Sequence, residues 1–126
     1  MTLQEVFNTV WQKFIVEKQP RNRHQRTFAA GSLCSYKPVV PGNTVGCFLG
    51  ACMPPELRDN LPKVGNTAID NIMSESLPVA ALFDGCPPGA LCELQNIHDS
   101  NDSSFWKDML VDFARSRQLV VPEEAK

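Results

Sequence analysis

The residues of this chain with types suited to chemistry are five cysteines (Cys34, Cys47, Cys52, Cys86 and Cys92) and two histidines, His24 and His98, the second followed by Asp99. A thiol nucleophile needs an imidazole in reach, commonly oriented by an acid or amide. That chemistry would take Cys47 as nucleophile, His98 as base, Asp99 or Gln95 as the orienting group and Cys34 as a redox or structural neighbour. Adjacent residues on a helix do not face one another. His98-Asp99 is therefore a dyad only where the helix ends and Asp99 turns back. A structural zinc site through Cys34, Cys47 and His98 is the other arrangement to weigh, and it asks for four tetrahedral ligands with a close cysteine knuckle. The spacings are Cys34-x12-Cys47, Cys47-x4-Cys52 and Cys86-x5-Cys92, with no Cys-x2-Cys among them. The chain has no Gly-rich phosphate loop, H-E-x-x-H or G-x-S-x-G motif. His24 has no catalytic partner nearby in sequence. The expectation is no catalytic site, no metal and no cofactor, with the cysteines acting as small buried hydrophobes.

The elements that would position these residues can be read in part. "TFAAGSLCSY" and "TVGCFLGACM" read as strands on either side of a turn centred on Pro41-Gly42. That hairpin puts Tyr36 opposite Val45 and Cys34 opposite Cys47, with Gly46, Phe48, Gly50 and Cys52 on the other face. Two glycines in one strand predict close packing against that surface.

Helices are expected at both ends. Leu3, Val6, Phe7, Val10, Trp11, Phe14 and Ile15 form one apolar stripe. Thr2 and Glu5 have capping-box spacing, and Pro20 requires the helix to end by about Gln19. Near the other end Phe105, Trp106, Met109, Leu110, Phe113 and Ala114 repeat helically, with N-cap residues in "NDSS" and Arg115 and Arg117 at the C-terminal side. The two terminal helices should pack together or on a common sheet. Between them "NTAIDNIMSESL", capped by Asn66, and "PPGALCELQNIHD", starting at Pro88, read as shorter helices. The predicted architecture is thus α+β: one domain over residues 1–126 with a β-hairpin, room for a third strand, and packed terminal helices plus one or two short ones.

At 126 residues the chain is one domain long, with enough apolar residues for a core without staples. "MTLQEVFNTVWQKF" is interrupted by Glu5, Asn8, Gln12 and Lys13, so it does not read as a secretory signal. The cysteines are accordingly expected as free thiols in a reducing cytoplasm, and no apolar run suggests a membrane span. A net charge of −2 argues against a nucleic-acid partner. The stretch "KQPRNRHQR" from Lys18 holds four of the twelve basic residues and no acid, leaving eight basic against fourteen acidic residues elsewhere. It falls within a basic, flexible loop expected over residues 19–28, with an anion or partner contact as the sharper reading. Residues 120–126 read as a tail.

"CSYK", "CFLGACMPPEL" and "LQNIHD", followed by Trp106, resemble an uncharacterised family of small phage and prophage proteins. That family carries C-x-Y-R, then C-A-x-G-x-L-I-P-D-E-x-Y, then L-Q-x-x-H-D. The match falls on Cys34, Tyr36, Cys47, Gly50, Pro54, Glu56 and Leu94 to Asp99. Lys37 stands for the family's arginine, Pro55 for its aspartate, and Leu57-Arg58 lie in the region of its final tyrosine. The resemblance implies a genetic setting: an accessory protein acting in the cytoplasm of a bacterial host. The expectation is a non-enzymatic protein that binds and inhibits or modulates a host protein, such as a defence system, or its own copies. Contacts are expected on irregular segments, with Tyr36, Lys37, Arg58 and Lys63 as the partner-binding residues. The thiol-dependent hydrolase or transferase and the zinc domain are the alternatives.

Overall fold

The structure is a computed structural model that describes residues 1–20, 36, 38, 40–59, 69–100 and 103–122. The first helix, α1 (Leu3–Val10), starts where the Thr2/Glu5 spacing puts it. The Thr2 amide donates to Glu5 Oε1 at 2.8 Å, and the Glu5 amide donates to Thr2 Oγ1 at 3.1 Å. Trp11–Val16 then continue with π-helical winding, the Glu17 amide reaching back five residues to the Gln12 carbonyl at 2.9 Å. Lys18 takes a left-handed φ of 59° and turns the chain away two residues before Pro20.

The predicted hairpin is not formed, and the α+β expectation is corrected: among the described residues there is no strand, only an isolated bridge between Thr2 and Gly85. A turn does lie at Pro41-Gly42, where the Asn43 amide donates to the Val40 carbonyl. Its second arm, however, finds its hydrogen bonds elsewhere. The Asn43 carboxamide oxygen accepts from the amides of Gly46 (2.7 Å) and Val45 (3.1 Å), while its nitrogen donates to the carbonyls of Gly46 and Pro20, both at 2.9 Å. Beyond it Ala51, Cys52 and Met53 bond back to Cys47, Leu49 and Gly50, giving a 3₁₀ turn at Gly50–Cys52. Backbone amides committed to a side chain and to local carbonyls have nothing left for a cross-strand ladder.

A buried arginine closes this loop from outside. Arg58, at the end of the short α2 (Pro55–Asp59), donates from Nη1 to the carbonyls of Val45 (2.6 Å) and Gly50 (3.3 Å). The close packing expected at Gly46 and Gly50 is present, but its source is the backbone of Tyr36. A Cβ on either glycine would fall 2.1 or 2.4 Å from the Tyr36 carbonyl oxygen.

The remaining elements are helical. The segment read as one short helix forms two, α3 (Ile69–Glu75) and α4 (Leu77–Leu82), separated by Ser76, whose hydroxyl caps α4 through the Val79 amide. Asn66, the expected cap, lies outside the described residues. α5 (Pro88–Ser100) starts at its proline and buries Leu91, Leu94, Ile97 and His98. α6 (Trp106–Ser116) follows a 3₁₀ turn, Ser103–Phe105, and has no side-chain cap. That turn takes Phe105 off the apolar stripe, leaving it 59% exposed where the sequence pattern puts it in the core.

α1 and α6 pack directly on one another, with Phe7 and Phe113 stacked at 6.1 Å. The chain beyond α6 is held too: Val120 exchanges two hydrogen bonds, each 2.8 Å, with the Gln4 side chain. No helix among the described residues is long and apolar enough to cross a membrane.

Candidate functional site

His98 sits near the end of α5, which stops at Ser100, so the condition for a His98-Asp99 contact is met: Nδ1 and Asp99 Oδ1 are 2.7 Å apart. The ring itself is sealed. His98 is 0% exposed and lies among three aromatic rings, stacked on Trp106 at 5.6 Å and edge-on to Phe48 at 5.1 Å and Phe14 at 6.1 Å. Phe14, Phe48 and Trp106 also meet each other within 5.5 Å. The four rings come from α1's π-helical extension, the Asn43 loop, α5 and α6, so one cluster ties together four segments distant in sequence. Tilted and edge-to-face aromatic packing of this kind adds to plain area burial.

Cys47, the candidate nucleophile, is fully buried, and its sulfur accepts from the Gly50 amide at 3.4 Å. Among the described residues that amide, and not His98, is its hydrogen-bond partner. The other described cysteines are also free thiols. Burial pushes the Cys52 thiol far up from its ordinary range, and its sulfur faces the carbonyls of Val6 and Phe48 at 3.9 and 3.7 Å. Burial raises Cys86 as well, beside the Met1 carbonyl at 3.4 Å. Groups that hold their protons more tightly folded than unfolded favour the folded state below the ordinary thiol range and lose that advantage as pH rises through it. Iodoacetamide at neutral pH is accordingly expected to label Cys47, Cys52 and Cys86 slowly in the native protein and fast in urea. Native labelling of Cys47 at the denatured rate would contradict this packing.

No group of three His, Cys, Asp or Glu side chains able to hold a metal occurs among the described residues. Cys34, which both the zinc and thiol arrangements invoke, lies outside them. Lys37 and Lys63, two of the four residues expected to face a partner, also lie outside. Tyr36 and Arg58 are described, and their side chains turn inward, 1% and 8% exposed. The Tyr36 hydroxyl accepts from Gln95 Nε2, and Gln95 Oε1 accepts from the Ile69 amide at 2.8 Å, a buried polar bridge from the Tyr36 segment through α5 to α3. Gln95 therefore orients this bridge. Arg58 holds the Asn43 loop. Both side chains thus work inside the fold, because the carbonyls and amides they meet are buried and need partners.

A test of His98 as packing follows from its cage. His98→Phe preserves an aromatic ring of similar volume and is expected to cost less than about 1.5 kcal/mol in urea unfolding, whereas His98→Ala opens a cavity and costs about 2–5 kcal/mol. Equal losses for both would give the imidazole nitrogens a role that packing does not.

The exposed feature with the shape of a binding site lies on the far side of the same cluster. A cleft of about 430 Å³ is lined by residues that include Phe14, Ile15 and Trp106, with Lys18, Ser103 and Lys107 at its exposed margin. Phe14 and Trp106 are buried, so they form its inner wall, with half-buried Ile15 beside them. Gln19 is pinned at one side by two hydrogen bonds with Thr44. Val16 and Phe105, the chain neighbours of two wall residues, are exposed at 41% and 59%. Sequence reading missed this cleft because it joins residues 14–20 to residues 103–107. The basic stretch beginning at Lys18 was the one signal pointing there. No protein-family model, no curated protein and no solved structure matches the chain.

Proposed function

We propose that this is a non-catalytic binding protein that acts on another protein through the cleft between the end of α1's π-helical extension and the start of α6. The observation that carries the reading is a separation of chemistry from surface. The imidazole of His98 and the thiol of Cys47 are both 0% exposed, while Phe105, Val16, Lys18 and Lys107 surround an open, largely apolar cleft. Exposed apolar side chains bordered by cations are a common form of protein-contact surface. The resemblance to small phage and prophage proteins supports a host protein as the target and the bacterial cytoplasm as the setting, with inhibition or modulation as the outcome. A thiol-dependent enzyme acting through Cys47 and His98 would need both side chains to become accessible on substrate binding.

The test is comparative capture. Immobilised protein and its Phe105→Ser and Lys107→Glu variants are exposed to bacterial lysate, and any retained protein is identified, purified and rebound. Both substitutions are at exposed positions, so folding should persist. The reading expects one purified partner that binds the parent protein and is weakened by both changes. Equal binding by all three proteins, or none by any, overturns it.

A further inference from the structure

From the charge and shape of the cleft we infer the chemistry of its occupant: a short segment of a partner protein in which an aromatic or branched aliphatic side chain stands next to carboxylates. This rests on the reading of the cleft as the protein-binding site. The volume of about 430 Å³ is near the lower end of the range for ligand pockets, about 300–1,000 Å³, which suits an anchoring side chain and little more. The inner wall of Phe14, Ile15 and Trp106 provides apolar contact for such an anchor. Trp106 also carries an indole N–H that is buried without a hydrogen-bond partner.

The margin decides the sign of the charge. Lys18 and Lys107 are exposed on the cleft from opposite elements. The acidic residues next to them in sequence, Glu17 and Asp108, do not line it. Glu17 is engaged along its own helix by Lys13 at 3.6 Å and by Gln12 Nε2 at 3.0 Å. A carboxylate beside the anchor would meet two cations, and a basic segment would be repelled by them. Such complementarity selects partners and raises association rates more than it adds affinity.

The probe is the peptide acetyl-Glu-Phe-Asp-amide, followed by ¹H–¹⁵N NMR of the full chain. Controls are acetyl-Lys-Phe-Lys-amide, acetyl-Glu-Gly-Asp-amide and free phenylacetate. The expected result is saturable shifts of the Trp106 indole N–H and of the amides of Ile15 to Gln19 with the first peptide. Both control peptides should bind at least about tenfold more weakly. Raising salt should weaken the first peptide's binding. Lys18→Glu and Lys107→Glu, each checked for an unchanged spectrum elsewhere, should weaken it by about tenfold together. Absence of shifts at about 10 mM peptide, enough to fill a millimolar site, overturns the inference, as does equal binding of the lysine peptide. Phenylacetate binding as tightly as the peptide would assign the cleft to a free aryl acid and overturn it too. A partner captured through Phe105 that ignores the lysine substitutions would sink this inference and leave the protein-binding function standing.

Discussion

Trp106→Ala is expected to destabilise the protein by about 3–5 kcal/mol in urea unfolding, the range for removing a large aromatic from a core. Domains of this size commonly have only about 5–15 kcal/mol in total, so the variant should sit near the edge of folding. The reason is the number of segments that meet on one indole. Its ring contacts Phe14, Phe48 and His98, so a single truncation loosens the π-helical extension of α1, the Asn43 loop and the end of α5 together. Trp106→Phe keeps a ring in place and should lose less than half as much. A loss below about 1 kcal/mol for alanine, which is typical of a surface site, would mean the cluster is not packed as described.

The second large effect is expected at a glycine. Gly46→Ala combines two penalties. The residue has a left-handed φ of 89°, and the new methyl would fall 2.1 Å from the Tyr36 carbonyl oxygen. The backbone term alone is about 1–2 kcal/mol, and forcing extra volume into a packed site adds about 1–3 kcal/mol. Gly42 supplies the control. Its φ is nearly the same, at 87°, but the nearest atom is the Pro20 Cγ, 3.7 Å away. Gly42→Ala should therefore show the backbone term by itself. The difference between the two variants measures how tightly the Tyr36 backbone is seated on the loop. Equal losses would show that the seating contributes nothing.

The two terminal helices were readable because their signals are local and redundant. Thr2 and Glu5 supply a cap, and Phe7, Trp11, Phe14, Leu110 and Phe113 supply a stripe with helical period. Pro88 likewise marks the start of α5. The middle was misread for an identifiable reason. "TVGCFLGACM" has the composition of a strand, but no local pattern reveals that Asn43 will take the amides of Val45 and Gly46 or that Arg58 will take the carbonyls of Val45 and Gly50. Those are tertiary events, and they override β-propensity, which is weak and dependent on context.

The candidate site divides the same way. The inference that cysteines and a lone histidine are core filling rests on general chemistry, and the described thiols and His98 are placed accordingly. The choice of Tyr36 and Arg58 as surface contacts rested on their lying in irregular segments. Irregular backbone that is buried needs polar side chains to satisfy it, and these two residues are recruited for that purpose. The cleft depends on the relative placement of α1 and α6, which no short motif encodes.

The π-helical winding at Trp11–Val16 also fixes a rotational phase. Each residue of a helix advances the direction of side chains by about 100°, so a single deletion there turns everything downstream through more than a quarter circle. Deleting exposed Gln12 would let the stretch relax to ordinary α geometry. It would swing Lys18 out of line with Lys107 while the capping box at Thr2 stayed in place. The spacing between the start of the chain's first helix and its lysine gate thus behaves as a one-residue ratchet, more sensitive to length than to the identity of the residues inside it.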